Sequence, residues 1–487
     1  MLLQQHSASG LRNEHFTDFS PRLGLDYRLN DKTVIRAGWG KFIIPAILQF
    51  PESSAQSPLA YLNNIAISSQ NGGVTPSTTL DNPYPGGLTA TPKRSSSFQQ
   101  LLLGGTGNTL YQDEQNGFTY QWNLAVQRQL PLGVALEAAY AGLHGANLPV
   151  SRNLNQVPAS TLGQALSDPT CAPTVTSACF LSGSTANPFD NYATKFNQGT
   201  QKYATIPKFQ LYRPFPQYGS VANTGNYIGV SNYNALQMKV EKRFNQGGIL
   251  LGSYTFSKLM TNSESLTNWL EIVAAPSFQN TNDITGEYAL SGYDSRQRLV
   301  VSYVYNLPIG RGQAIFAGVH GVADKLVSGW GVNGVSTFQK GYPLGVTMNL
   351  NTVSTYAGTG VTRPNVATGV DKQTHGRIQD RLGDQFSKTS YFNLAAFTAP
   401  GPFRFGNESR TDNVLRLPGI ANWDFALFKD THLTERLVFQ FRCESFNLFN
   451  RVQFGGPNTA IGNSLNGRIT SQANDPRLLQ MAGRINF

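Results

Sequence analysis

Leu437-Val-Phe-Gln440-Phe-Arg442-Cys-Glu444 reads with a period of two. Leu437, Phe439, Phe441 and Cys443 fall on one side; Gln440, Arg442 and Glu444 fall on the other. The run before it does the same, with Trp423, Phe425 and Leu427 against Asp424 and Ala426. The last residues repeat the pattern, with Met481, Gly483, Ile485 and Phe487 against Gln480, Arg484 and Asn486. Alternation of this kind makes a β-strand with two unlike faces. The expected arrangement puts the apolar face against lipid and the polar face against a water-filled lumen. Gln440, Arg442 and Glu444 are then lumen-facing, and Cys443 is a small apolar residue of the lipid band.

Composition narrows the class. Asp, Glu, Lys and Arg make up 14% of the 487 residues, against about 25% in an ordinary soluble domain. Aromatics reach 11%, and there are 48 Gly and 26 Pro. Mean hydropathy is −0.27, and no apolar run approaches the ~20 residues of a spanning helix. An outer-membrane barrel has this composition, and so has a secreted soluble β-protein. The net charge of +10 is spread singly, with no basic run longer than Lys93-Arg94 or Lys242-Arg243. A nucleic-acid binder would cluster those cations. A basic barrel beside an anionic lipopolysaccharide leaflet has a use for them.

Working outward, similar strands occur in pairs. Arg22–Leu29 and Thr33–Phe42 flank a turn at Asn30-Asp31, a tight-turn dipeptide. Phe118–Gln129 and Val134–Leu143 flank Leu130-Pro-Leu-Gly133; Tyr233–Phe244 and Ile249–Lys258 flank Asn245-Gln-Gly-Gly248. Arg298–Asn306 and Gly329–Phe338 form a fourth pair, with Leu307-Pro-Ile-Gly310 in the connection. Trp423–Lys429, Arg436–Phe446 and the closing Leu478–Phe487 complete eleven strands, and Pro343–Leu350 could add one. Short turns alternate with long loops at 43–116, 145–230, 259–295 and 342–420. Compact domains rarely carry loops above ~15 residues. Transmembrane β-barrels do, with short turns on the periplasmic side and long loops outside. The spacing is too uneven for a propeller and too wide for a sandwich. The expected fold is therefore all-β, an antiparallel transmembrane barrel with long extracellular loops. An odd count cannot close with antiparallel neighbours throughout, and eleven is half of the ~22 strands of plugged outer-membrane transporters. The chain thus reads as about 11–12 strands of a larger barrel.

Other motifs are weaker. Trp39, Trp122, Tyr140, Tyr254, Tyr303, Tyr305 and Phe428 are candidates for an interfacial aromatic girdle. Cys171 and Cys179, eight positions apart in a Pro/Ser/Thr-rich loop, are a candidate disulfide pair. The ending on Ile485 and Phe487 resembles the signal that the barrel-assembly machinery reads. The six histidines are scattered, without a His-Glu-x-x-His pair, and no Gly-x-Ser-x-Gly elbow occurs. The expectation is no enzyme, no catalytic or metal residues and no cofactor.

Several stretches, in order, resemble the C-terminal barrel half of the Oar-like TonB-dependent receptors. They include Ser20-Pro-Arg-Leu-Gly-Leu25, Tyr233-Asn-Ala-Leu236 and Tyr254-Thr-Phe-Ser-Lys258. Phe405-Gly-Asn407 with Arg410, Leu417-Pro-Gly419 and Arg442-Cys-Glu-Ser-Phe-Asn-Leu-Phe-Asn450 follow. The resemblance implies a bacterial outer-membrane receptor that takes up an unknown substrate through a plugged barrel. It implies partnership with the TonB energising complex wherever a plug and TonB box accompany the barrel. Met1–His6 has no basic segment followed by an apolar one, and there is no room before Ser20 for a plug. The expected organisation is an N-terminal remnant at 1–19 and a barrel domain at 20–487 of an N-terminally truncated chain. The alternative is a self-contained porin-like or adhesive barrel of about twelve strands.

Overall fold

The computed structural model describes residues 18–44, 74–85, 87, 103–109, 115–196, 199–244, 247–264, 276–349 and 361–487. The expected remnant at 1–19 lies outside them except for its last two residues. So does much of the 43–116 loop.

Eleven strands form one continuous antiparallel wall. They are β1 (Arg22–Asn30), β2 (Thr33–Ile43), β3 (Phe118–Leu130), β4 (Val134–Asn153), β5 (Ser220–Arg243) and β6 (Gly248–Thr261). Then come β7 (Gln297–Asn306), β8 (Trp330–Gln339), β9 (Ile420–His432), β10 (Val438–Phe446) and β11 (Leu478–Asn486). Each pairs with its neighbours in chain order. At ~3.3 Å per residue the ten residues of β7 or β8 reach about 33 Å, enough for a hydrocarbon layer. No described helix is long and apolar enough to cross a membrane.

Registration turns eleven separate alternations into two continuous faces. One row runs Leu25, Ala37, Leu124, Tyr140, Leu236, Phe256 from β1 to β6. Another runs Tyr305, Val332, Leu427, Cys443, Met481 from β7 to β11. Slipping any strand by one residue would turn its apolar set inward, so hydrophobic burial in lipid sets the register. These side chains have no protein cover: Leu124 is 50% exposed, Leu236 44% and Tyr140 43%. The opposite face bonds to itself. Arg36 donates to Asp26 at 3.2 Å and to Gln127 at 3.0 Å, and Glu241 accepts from Arg243 at 2.9 Å.

Three features differ from the sequence reading. β4 and β5 continue as a ribbon well into the expected 145–230 loop, pairing as far as Asn153 with Ala222. Phe428 is on the polar face, opposite Arg442, and not in the girdle. Gly331 across from it leaves the space that the Phe428 ring occupies. Among the described residues of Pro343–Leu350 only Thr347–Met348 is a strand, and it pairs with Ala460–Ile461 away from the wall. Among the described residues the wall therefore has eleven strands. With that odd number β1 and β11 run in the same direction, so antiparallel closure requires an odd number of further strands. All nine residues of each are exposed, and among the described residues each has one neighbour.

The long connections gather at one end and fold. Segments 344–348, 391–397, 415 and 461–469 share a core that includes Val346, Phe392 and Ile469. The 154–219 segment holds α1 (Ala159–Ser167) and a second core of Val157, Leu162, Leu181 and both cysteines, completed by Phe403 from a different loop. Apolar residues scattered through loops of no period cannot reveal this joint burial in advance.

Candidate functional site

This cap of folded loops is the candidate site, and buried ion pairs hold it to the wall. Arg363 reaches Glu287 through two bonds of 2.6 and 3.1 Å. Glu287 also accepts from the Gln279 and Asn280 amides at 3.2 and 3.3 Å. Arg410 meets Glu264 at 2.7 Å and donates to the Thr261 carbonyl, at the end of β6, at 2.5 Å. Arg416 meets Asp294 at 2.6 Å, and Asp294 accepts from the Leu259 amide at 2.7 Å. In each pair the arginine comes from the loop before β9 and the carboxylate from the loop before β7. Planar guanidinium suits such sites, because its fork satisfies several acceptors at once. A buried charge without its partner is costly, so the two loops are ordered together or not at all.

A fourth cluster lies within the loop before β9. Lys372 donates to Glu408 at 2.8 Å and to Asp412 at 2.6 Å. Burial pushes the Glu408 carboxyl above its ordinary value, Asp412 adds to this, and Lys372 opposes it. Burial acts to lower Lys372, but its bonds to Asp412 and Glu408 outweigh that and raise it. The loop before β5 joins through Gln156, which accepts from the Thr281 amide at 2.9 Å and donates to Asn280 at 2.8 Å. In the loop before β5, Tyr203, Tyr212 and Phe215 are exposed, with the Lys202 ammonium 5.1 Å from the Tyr203 ring. Aromatic rings beside cations form a surface suited to ligand contact.

The residues singled out from sequence lie elsewhere. Gln440 donates to Asp430 at 2.8 Å, and Arg442 contacts Glu444 at 2.8 Å, all on the polar face. Glu444, Asp424, Asn333, Val304, Val335 and Phe446 line a depression of about 290 Å³ there. It is a shallow part of the polar face of the wall. Ile485 and Phe487 are at the outer edge of the wall, with Ile485 opposite Phe439. Sγ of Cys171 and Sγ of Cys179 are 2.03 Å apart, wholly buried in the second cap core. Sequence reasoning did not single out Glu264, Glu287 or Arg363. The available signal was a charge imbalance: the 259–295 loop carries five carboxylates and no Lys or Arg, so its acidic side chains need cations from elsewhere.

A wall of antiparallel strands, with bare apolar side chains on one face and an ion-paired polar face behind it, defines a bacterial outer-membrane β-barrel protein. The chain belongs to the outer membrane beta barrel domain family, which it matches over residues 2–480. No curated protein matches its sequence. Among solved structures it is similar to the outer membrane transporter YddB from Escherichia coli, at 9% identity and a TM-score of 0.43, covering 96% of this chain and 40% of that one. It is also similar to the ferric citrate transporter FecA, at 10% identity and 0.35, covering 96% and 38%. The siderophore receptor PiuA from Acinetobacter baumannii gives 8%, 0.35, 96% and 35% in the same order. The chain thus spans about two fifths or less of these structures' length.

Proposed function

We propose that this chain forms part of the wall and the ligand-recognising cap of an Oar-like TonB-dependent transporter. The observation that carries this is an odd wall of eleven strands roofed by loops that are ion-paired into a folded body. A porin mouth needs free passage; a receptor needs a shaped surface over the lumen. Eleven further strands would close the barrel at ~22, the size that encloses a plugged lumen. Substrate would first meet the cap, around Tyr203, Tyr212 and Phe215, and pass inward once a plug moved. Energy would come from the TonB complex acting on that plug. Ile485 and Phe487 would be read by the barrel-assembly machinery, and the outer cations would face lipopolysaccharide.

Conductance across a planar bilayer tests the reading on protein extracted from its native envelope. A plugged, capped transporter is expected to stay closed. A steady open pore would overturn the proposal in favour of a porin-like barrel.

A further inference from the structure

Four of the five connections at the turn end are tight: 31–32, 131–133, 244–247 and 433–437. The fifth, 307–329 between β7 and β8, is a folded projection containing α2 (Gly321–Val327). Four of its large apolar side chains are exposed. Val322 is 76% exposed, Leu326 66%, Phe316 64% and Ile315 47%. Val322 and Leu326 are four apart and share one helix face. Phe316 holds its ring out from a backbone φ of +61°, a region costly for a bulky residue. Nothing within the fold rewards that exposure.

The projection is continuous with the lipid-facing band. Trp330 begins β8 on the outward face, and its indole N–H donates to the Leu326 carbonyl at 3.0 Å. Lys429, opposite Trp330, lies 5.5 Å from its ring and donates to the Ser328 carbonyl at 2.6 Å. Tyr305 packs against Phe244 at 5.0 Å at the same end of the outward face. An aromatic rim with a lysine reaching toward the strand end marks the edge of the hydrocarbon layer. The helix is tied to that rim. Its own charges lean positive, with Arg311 and Lys325 against Asp324, whose carboxylate accepts from Ser328.

We propose that residues 311–327 form a membrane foot. Ile315, Phe316, Val322 and Leu326 enter the turn-side leaflet, and the neighbouring cations meet anionic headgroups. An amphipathic segment lying in the interface buries its apolar face about 5–10 Å below the headgroups. The foot holds whether or not the barrel transports, because it rests only on the lipid-facing wall.

The test uses the full chain with Cys443→Ser, extracted from its native envelope and reconstituted into vesicles of phosphatidylethanolamine and phosphatidylglycerol. Single cysteines at Val322→Cys and Phe316→Cys carry an environment-sensitive fluorophore. Met238→Cys in the lipid band and Gln385→Cys in the cap calibrate the two extremes. The expected result is blue-shifted emission at 322 and 316, quenched most by lipids brominated near the top of the acyl chain. Emission at both sites matching Gln385→Cys would overturn the foot. Protection that appears only in whole cell envelopes, without quenching in vesicles, would also overturn it and indicate a periplasmic protein partner instead. Because all four sites are exposed, the labels disturb little, and heat-modifiable migration on a gel confirms that each variant is folded.

Discussion

Arg363 and Glu287 face each other with side chains 4% and 1% exposed, and their two bonds join the loop before β9 to the loop before β7. Glu287→Ala should leave a buried guanidinium without its partner, a loss of about 3–5 kcal/mol to the cap. Amide hydrogen exchange should accelerate at 276–290 and 361–366, with the wall strands unchanged. Unaltered exchange in both loops would show that the pair does not hold the cap.

The cluster of Lys372, Glu408 and Asp412 should make the cap pH-sensitive in a defined direction. Both Glu408 and Lys372 bind their protons more tightly in the folded cap than in an unfolded chain. Each contribution is therefore complete below the group's unfolded pKa and lost as pH rises through the folded one. For Glu408 the contribution is complete below the ordinary glutamate value and fades as pH rises above it, so the cap tightens on acidification from neutral. For Lys372 the loss comes in strong alkali, above the ordinary value of 10.5. Glu408→Gln should abolish the acid-side gain in exchange protection at 408–416. A variant that keeps the wild-type profile would remove Glu408 from the account.

The two faces of β5 should respond in opposite ways to the same substitution. Met238 is on the outward face and Gln237 on the polar one. Met238→Arg should cost about 2–4 kcal/mol if it lies near the bilayer midplane, and Gln237→Arg far less. Urea titration of the folded protein in vesicles measures both. Equal losses would contradict a lipid-facing band.

Cys171 and Cys179 lie in a core shared with Phe403 of another loop. Replacing both by serine should loosen the 154–219 segment by about 2–3 kcal/mol, the loss expected when a short loop is released. Limited proteolysis should then cut there first and spread to the 401–406 region. Cleavage no faster than in the wild type would show that the surrounding core suffices.

Deleting Phe487 should lower the yield of heat-modifiable protein in the envelope, if the terminal residues are read during assembly. Adding Ile485→Ser should lower it further. Refolding of the same variants in detergent is the control. A defect seen equally in detergent would point to lost packing against Phe439 rather than lost recognition.

The wall was legible in the sequence because its determinant is local. A period of two in Leu236, Met238 and Val240, or in Phe439, Phe441 and Cys443, assigns each residue to a face without knowledge of any other strand. Turn residues and aromatic ends supplied the boundaries. Phe428 lies off the girdle because a ring can sit on a polar face where a glycine opposite leaves room for it, and that partner is known only from pairing.

The sequence by itself determined that the strands have one face for lipid and one for water, and that they number about eleven or twelve; the pairing of Thr347–Met348 away from the wall settles the count among the described residues at eleven. Only the tertiary structure decided what the long loops do. Glu264 and Arg410, or Glu287 and Arg363, are far apart in the chain and sit in segments without period. Their pairing depends on two loops leaving the same end of the wall side by side. Burial there removes water from the charges, and each charge then requires the other.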